Sequence, residues 1–344
     1  MPASFAANGS TIEKLGFDDT TAPPWAMLPV HGTKKVVLKD GSGLSLTLRN
    51  PADKNSIRFS EEAPTNEGRI IILSGGGNPK TILLDARNSS GVTQASLEIT
   101  IKAQLRFATF IGFIFDTKVF KAVRGLTSAL HDMDVANRIM LPQTNVVMFR
   151  KDSGAVNVPF EIPRGMPADF PSFHAPLNWD RPGPGMLLCT SSRPLGPEGC
   201  LPEDTQGPRP FIAPGVQISE ADFQALRSTQ MLANIVNRIN STFDYNIFCV
   251  RNLDAGSSGI AANTAAFTPI AANAVEINLC FYPDSANGLG LAHELGHFLL
   301  RSSPLKGVGR HSTRRGDLMA GSSVDQGLTI PKDQSNVMNP SGFP

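Results

Sequence analysis

His293-Glu294-Leu295-Gly296-His297 places two imidazoles four residues apart, with a carboxylate beside the first. In a helix, residues four apart stand one above the other on the same face. Both rings can therefore converge on one metal ion, and zinc takes such nitrogen donors. Glu294 then lies within reach of a water polarised by that ion and can accept its proton. The surrounding run from Gly288 to Leu300 is apolar at Leu291, Leu295, Phe298 and Leu299, which predicts a buried helix. The plainer explanation of the five residues is a core helix with two incidental histidines.

A catalytic zinc takes three protein donors and leaves one position for water. Downstream of His297 the sequence has no Glu and one His, His311. Asp317, Asp325 and Asp333 are the other candidate donors there, with Asp317 the main competitor. His311 is followed by Asp317-Leu318-Met319-Ala320, by Gly327-Leu328-Thr329, and by Gln334 and Met338.

A zinc helix, a third His, a turn carrying Met and a Leu-Thr…Gln stretch opening a last helix resemble the metzincin class of zinc peptidases. The resemblance implies that His293, His297 and His311 bind Zn2+ and that Glu294 is the general base. It also implies that Met319 belongs to a Met-turn, an apolar floor under the metal. The sequence departs from the family pattern HExxHxxGxxH in one place. Leu300 and Ser303 stand where the family has its Gly and third His, and His311 comes eight residues later. The intervening Pro304-Leu305-Lys306-Gly307-Val308-Gly309 reads as an insertion, with Gly307 or Gly309 making the sharp turn. No Tyr follows Met319, so the Tyr that assists zinc in some metzincins has no counterpart.

The elements that must position these residues follow from periodicity. Residues 1 to about 104 read as all-β, with alternating runs at Lys35–Leu38, Leu44–Leu48, Arg69–Leu73, Thr81–Ala86 and Ala95–Ile101. Turn residues separate them at Asp40–Gly43, Gly75–Pro79 and Asn88–Gly91, as in a β-sandwich. The stretch from Thr81 to Ile101 resembles the last hairpin of bacterial Ig-like domains. From about 105 the pattern changes to a buried strand (Leu105–Phe115), a helix face (Val119, Val123, Leu126, Leu130, Met133) and a strand (Thr144–Phe149). Metzincin domains also begin in this way. Residues 151 to 215 are rich in Pro and Gly and read as an irregular insertion. Ser219 and Asp222 cap a second helix running to about Asn240, and Tyr245–Val250 and Val275–Tyr282 read as strands. Gly259–Ala262 is a candidate edge strand. The expected fold class is α+β: an Ig-like β-sandwich over 1–104, then a metzincin-like peptidase domain over 105–344.

The net charge of +1 on 344 residues gives no electrostatic case for nucleic acid or an anionic membrane. The longest apolar run, Phe107 to Phe115, is too short to span a bilayer, so no membrane insertion is expected. Cys189, Cys200, Cys249 and Cys280 lack CxxC spacing, which argues against a cysteine zinc site. Two disulfides or four reduced thiols fit equally, with Cys189–Cys200 and Cys249–Cys280 the natural pairs. His31, His131 and His174 have no partner at ligand spacing. No charged and apolar leader opens the sequence, so export without a cleaved signal peptide, or after its removal, is expected.

Together these readings describe a zinc-dependent endopeptidase acting on a protein or peptide, secreted or delivered as a bacterial toxin or effector. Such an effector would act in the periplasm, with a secretion-machine component or an immunity protein as partner. The alternative is a binding or adhesion protein with a structural or lapsed zinc site, although a structural site has no use for Glu294. A cell-wall hydrolase is weaker, because the HxxxD and HxH pattern of common wall enzymes is missing.

Overall fold

The computed structural model describes residues 2–9, 13–114, 122–156, 186–189, 209–212, 243–250, 278–300, 311–320 and 325–342. The protein is α+β and consists mostly of strands. The described residues include three α-helices: α1 (Leu126–Thr144), α2 (Gly288–Leu300) and α3 (Lys332–Met338). The chain divides into two compact units. One comprises Met1–Phe107, Met133–Met148 and Leu295–Pro344; the other comprises Ala108–Asp132 and Phe149–Glu294.

In the first unit, β1 (Ser4–Ala7), β4 (Thr33–Lys39), β7 (Arg69–Gly75) and β6 (Ile57–Glu61) form an antiparallel sheet in the order β1-β4-β7-β6. A second sheet has the order β2-β3-β9-β8-β5, from β2 (Phe17–Asp18), β3 (Trp25–Pro29), β5 (Ser45–Leu48), β8 (Lys80–Arg87) and β9 (Thr93–Lys102). Its strands pair antiparallel except β3 with β9. Alternate residues of both sheets meet in one core: Val36 and Leu38, Ile71 and Leu73, Ile82 and Leu84, Leu97 and Ile99. Each such side chain contributes roughly 1.5–3 kcal/mol by leaving water.

Strand β3 breaks the alternation, since Trp25, Ala26, Met27 and Leu28 are all buried. Ala26 and Leu28 join the shared core, so Trp25 and Met27 face the other side of the sheet. On that outer side lie also Glu98, Thr100 and Lys102 of β9, and the C-terminal segment covers them. Thr100 accepts the Trp25 indole N–H (2.9 Å), and Lys332 Nζ pairs with Glu98 (2.6 Å). Lys102 is fully buried, and its Nζ donates to Asn336 Oδ1 (2.9 Å), to the Asn339 carbonyl (2.5 Å) and to the Ser335 carbonyl (3.4 Å). Burial pushes this ammonium down to about 7. Buried amides complete the attachment: Asn339 Nδ2 donates to the carbonyls of Ala103 (2.8 Å) and Thr144 (2.7 Å), and Gln143 bonds the backbone at Leu328 and Ile330. Buried polar groups satisfied in this way keep the outer face dry without an orphaned donor.

Helix α1 starts later than its apolar spacing predicts. Val119 lies outside the described residues, and Val123 precedes the helix and is 78% exposed. The reason is local: the backbone N–H groups of Val123 and Arg124 are held by the Asp284 carboxylate (2.7 and 2.9 Å), not by a helical turn. The buried face is Ala129, Met133, Ala136 and Met140. The helix ends at Asn145, whose φ of 54° is the left-handed conformation that Asn tolerates. A further sheet has the order β11-β10-β14-β15, from β10 (Leu105–Ile114), β11 (Val146–Val156), β14 (Tyr245–Val250) and β15 (Leu279–Pro283). Strand β14 runs parallel to both β10 and β15.

Within the expected insertion, β12 (Met186–Cys189) and β13 (Arg209–Ile212) form an antiparallel pair. Cys200, His174, the expected helix at 219–240 and the edge strand at 259–262 lie outside the described residues. Cys249 and Cys280 are buried, reduced thiols, and burial pushes the Cys249 thiol up to about 12. They do not pair. Cys249 stands opposite Tyr282 and Cys280 opposite Ile247, so the two are a diagonal step apart on β14 and β15. That offset exceeds the span of a disulfide. None of the described helices is long and apolar enough to cross a membrane.

Candidate metal centre

Helix α2 is buried on most sides, at Leu291, Ala292, Leu295, Phe298 and Leu300. Asn287 caps its start: its Oδ1 accepts from the N–H groups of Leu289 and Gly290, both at 3.1 Å. The segment before it is tied to Arg124. That guanidinium donates to the carbonyls of Pro283 (3.3 Å), Asp284 (3.0 Å) and Ala286 (2.5 Å), pairs with Asp132, and lies 4.3 Å from the Tyr282 ring centre. The Tyr282 phenol is pushed up by burial.

The helical spacing stacks His293 and His297 on one face of α2, and His311 approaches from the loop beyond. One ligand nitrogen from each of the three lies within 4.8 Å of the other two. The Nε2 atoms of His297 and His311 are 3.2 Å apart, and their rings meet edge to face with centroids 4.7 Å apart. The 3.2 Å between the His297 and His311 nitrogens is close to the roughly 3.3 Å between neighbouring donors of a tetrahedral ion with bonds near 2.05 Å, and the three histidines could hold a metal ion. His293 and Glu294 are each 6% exposed, whereas His311 faces solvent. Exposure therefore increases from the helix to the loop.

The loop that carries His311 is fastened to itself. Ser312 N donates to the Met319 carbonyl (2.6 Å), and Ser312 Oγ donates to Asp317 Oδ2 (2.5 Å). Leu318 N reaches the Thr329 carbonyl (2.7 Å), and Asp317 and Thr329 form a parallel bridge. Burial pushes the Asp317 carboxyl up, against the hydrogen bond from Ser312. Asp317 thus braces the loop and is not among the clustered donors. Asp325 pairs with Arg315 (2.6 Å), and the exposed Asp333 carboxylate accepts from the N–H of its neighbour Gln334 (2.8 Å). A cleft of about 410 Å3 lies beside this loop, with Asp18, Thr20, Arg314, Lys332 and Asn336 in its wall.

Met319 is fully buried beneath α2. A Cβ added at Gly296 would lie 2.2 Å from Met319 Sδ and 3.2 Å from Met338 Cε. A side chain there would have to push the methionine ends aside, so Gly296 lets the helix rest closely on both. The sequence marks Met338 but gives no sign of this contact, and it gives none for Lys102, Arg124 or Gln143. His31 lies in a tight turn at φ 57°, and His131 is exposed on α1.

Neither the protein-family models nor the curated proteins include a match to this chain.

Proposed function

We propose that this chain is a zinc-dependent endopeptidase of metzincin type, preceded by an Ig-like β-domain. The observation that supports this best is the convergence of the His293, His297 and His311 nitrogens within 4.8 Å, with Glu294 buried beside the first. The three imidazoles would hold the ion, and a three-nitrogen set leaves room for water and substrate. Zinc held there supplies a Lewis acid that acidifies water and draws charge from a peptide carbonyl.

Glu294 does the proton work. Its carboxylate takes a proton from the attacking water as the oxygen bonds to the carbonyl carbon. It returns that proton to the amine nitrogen as the C–N bond breaks. Met319 supplies the apolar floor. Asp317, through Ser312, holds the loop so that His311 faces the helix.

The more specific reading is a bacterial effector that is secreted or delivered and acts on protein in the periplasm. A secretion-machine component or an immunity protein would be its partner. Toxicity of the chain when directed to the periplasm, lost in Glu294→Gln, supports that version; harmless periplasmic expression of an active chain rejects it.

The enzymatic reading is tested by hydrolysis of unfolded casein by the zinc-loaded chain and by Glu294→Gln at equal zinc content. Activity in the parent, lost in the variant, is expected. A parent that holds one zinc but cleaves neither casein nor a peptide library would leave a binding protein as the better description.

A further inference from the structure

We infer that Met338 is a positioning residue for the histidine helix, and that Lys102 anchors it to the five-stranded sheet. This rests on the metal-centre reading above.

Gly296 sits between the two ligands of α2, and two methionines close on it from below. The same added Cβ that meets Met319 Sδ and Cε (2.2 and 3.1 Å) meets Met338 Cε at 3.2 Å. The two thioethers come from different elements. Met319 belongs to the loop of His311, and its carbonyl accepts from the N–H of Ser312, the neighbour of His311 (2.6 Å). Met338 ends α3, a separate element that starts three residues after Thr329, and is buried (2% exposed).

What fixes α3 is then what fixes the helix height. At seven residues α3 is too short to hold its own place. An ammonium has three donors, and all three of Lys102 point at α3 and its end, toward Asn336, Asn339 and Ser335. Ser335 Oγ also donates to the Gln143 carbonyl (2.5 Å). A chain of contacts thus runs from β9 through Lys102 and α3 to Met338, and from Met338 to the patch of α2 beside His297. Outer partners that orient ligands typically change metal affinity by about 10–100-fold when lost.

The test uses the full chain and cobalt as the probe, titrated by its visible absorption and by competition with a chelator. The variants are Met338→Ala, Met338→Leu and Lys102→Met. Leu84→Ala is the control, a truncation of similar size inside the shared sheet core. Met338→Ala is expected to bind cobalt about ten-fold more weakly with altered band intensities, and Met338→Leu to recover most of both. Lys102→Met should move affinity and spectrum in the same direction. Leu84→Ala should lower Tm and leave the cobalt site unchanged.

An unaltered affinity and spectrum in Met338→Ala, or an equal loss in Leu84→Ala, overturns the inference while the metal centre stands. If Met338→Ala does not fold, Lys102→Met decides, and an unchanged cobalt site there overturns the inference. A parent chain that binds no cobalt overturns the metal-centre reading, and this inference with it.

Discussion

Helix α2 has two supports of opposite chemistry. At its start, Arg124, Asp132, Asp284 and the Asn287 cap hold it by directional and largely charged hydrogen bonds. Under its middle, Gly296 rests on the sulfur and methyl groups of Met319 and Met338. The first kind of support fixes where a helix begins, because breaking a buried ion pair leaves an uncompensated charge. The second kind is graded, because an unbranched thioether fills whatever gap it meets. The difference assigns them separate tasks. The charged knot should govern whether the region folds, and the apolar floor how well the histidines meet.

The largest effect expected from breaking that division is Arg124→Met. The Arg124 side chain is 5% exposed, and its removal strands Asp132. A loss of about 3–5 kcal/mol is expected in urea denaturation, with zinc affinity of the folded protein nearly unchanged. A loss below about 1 kcal/mol would show that the knot does not set stability. Gly296→Ala should do the reverse. The new methyl forces Met319 and Met338 aside at a cost of about 1–3 kcal/mol, but zinc affinity should fall by roughly ten-fold or more. Retained affinity in that variant would dissolve the contrast.

Asp317→Ala sharpens the comparison at the loop. Losing the Ser312 bond should cost about 1–3 kcal/mol, with zinc still bound one per chain. His311→Ala should be nearly neutral for stability yet lose the metal, as read by zinc content after dialysis. The opposite pattern would make Asp317 the ligand.

The smallest effect lies in the β-region, where pH isolates a charged contact far from any metal ligand. Burial alone would raise the Asp85 carboxyl, but hydrogen bonds from Arg49, Ser96 and Arg87 outweigh it and hold the group at about 2, against 3.8 for a free Asp. The folded value lies below the unfolded one. The contribution is therefore present above about pH 3.8 and is lost as pH falls through 2. Since Arg49 is half exposed, it should amount to about 1 kcal/mol. Acid denaturation of the parent and Asp85→Asn should converge across that window.

What was legible in the sequence follows the range of the physics involved. Strands β4, β7, β8 and β9 were readable because one of their faces is apolar and turn residues bound them. Strand β3 was not, because Trp25 and Met27 are buried as well as Ala26 and Leu28, so no alternation remains. In the site, His293, Glu294 and His297 are fixed by helical geometry alone. His311 was expected from the Met-bearing turn and the Leu-Thr…Gln stretch that follow it, and its approach to His297 is a property of the folded loop. Met338, Lys102 and Arg124 were silent because their partners lie far off in the sequence: the Lys102–Asn339 bond spans 237 positions and the Arg124–Asp284 bond 160. The Ig-like and metzincin likenesses rest on local patterns of residues, whereas the α+β architecture is visible in the strands and helices themselves.

The cover over the outer face of β9 has a consequence for synthesis. Thr81 and Lys102 meet partners 261 and 237 positions later. At about 5–20 residues per second, a ribosome needs roughly 12–50 s to make that stretch. Throughout that interval the partners that take up the Lys102 ammonium have not been made. The helix that seals the outer face of β9 is translated long after that strand, so completion of this sheet waits on the arrival of α3.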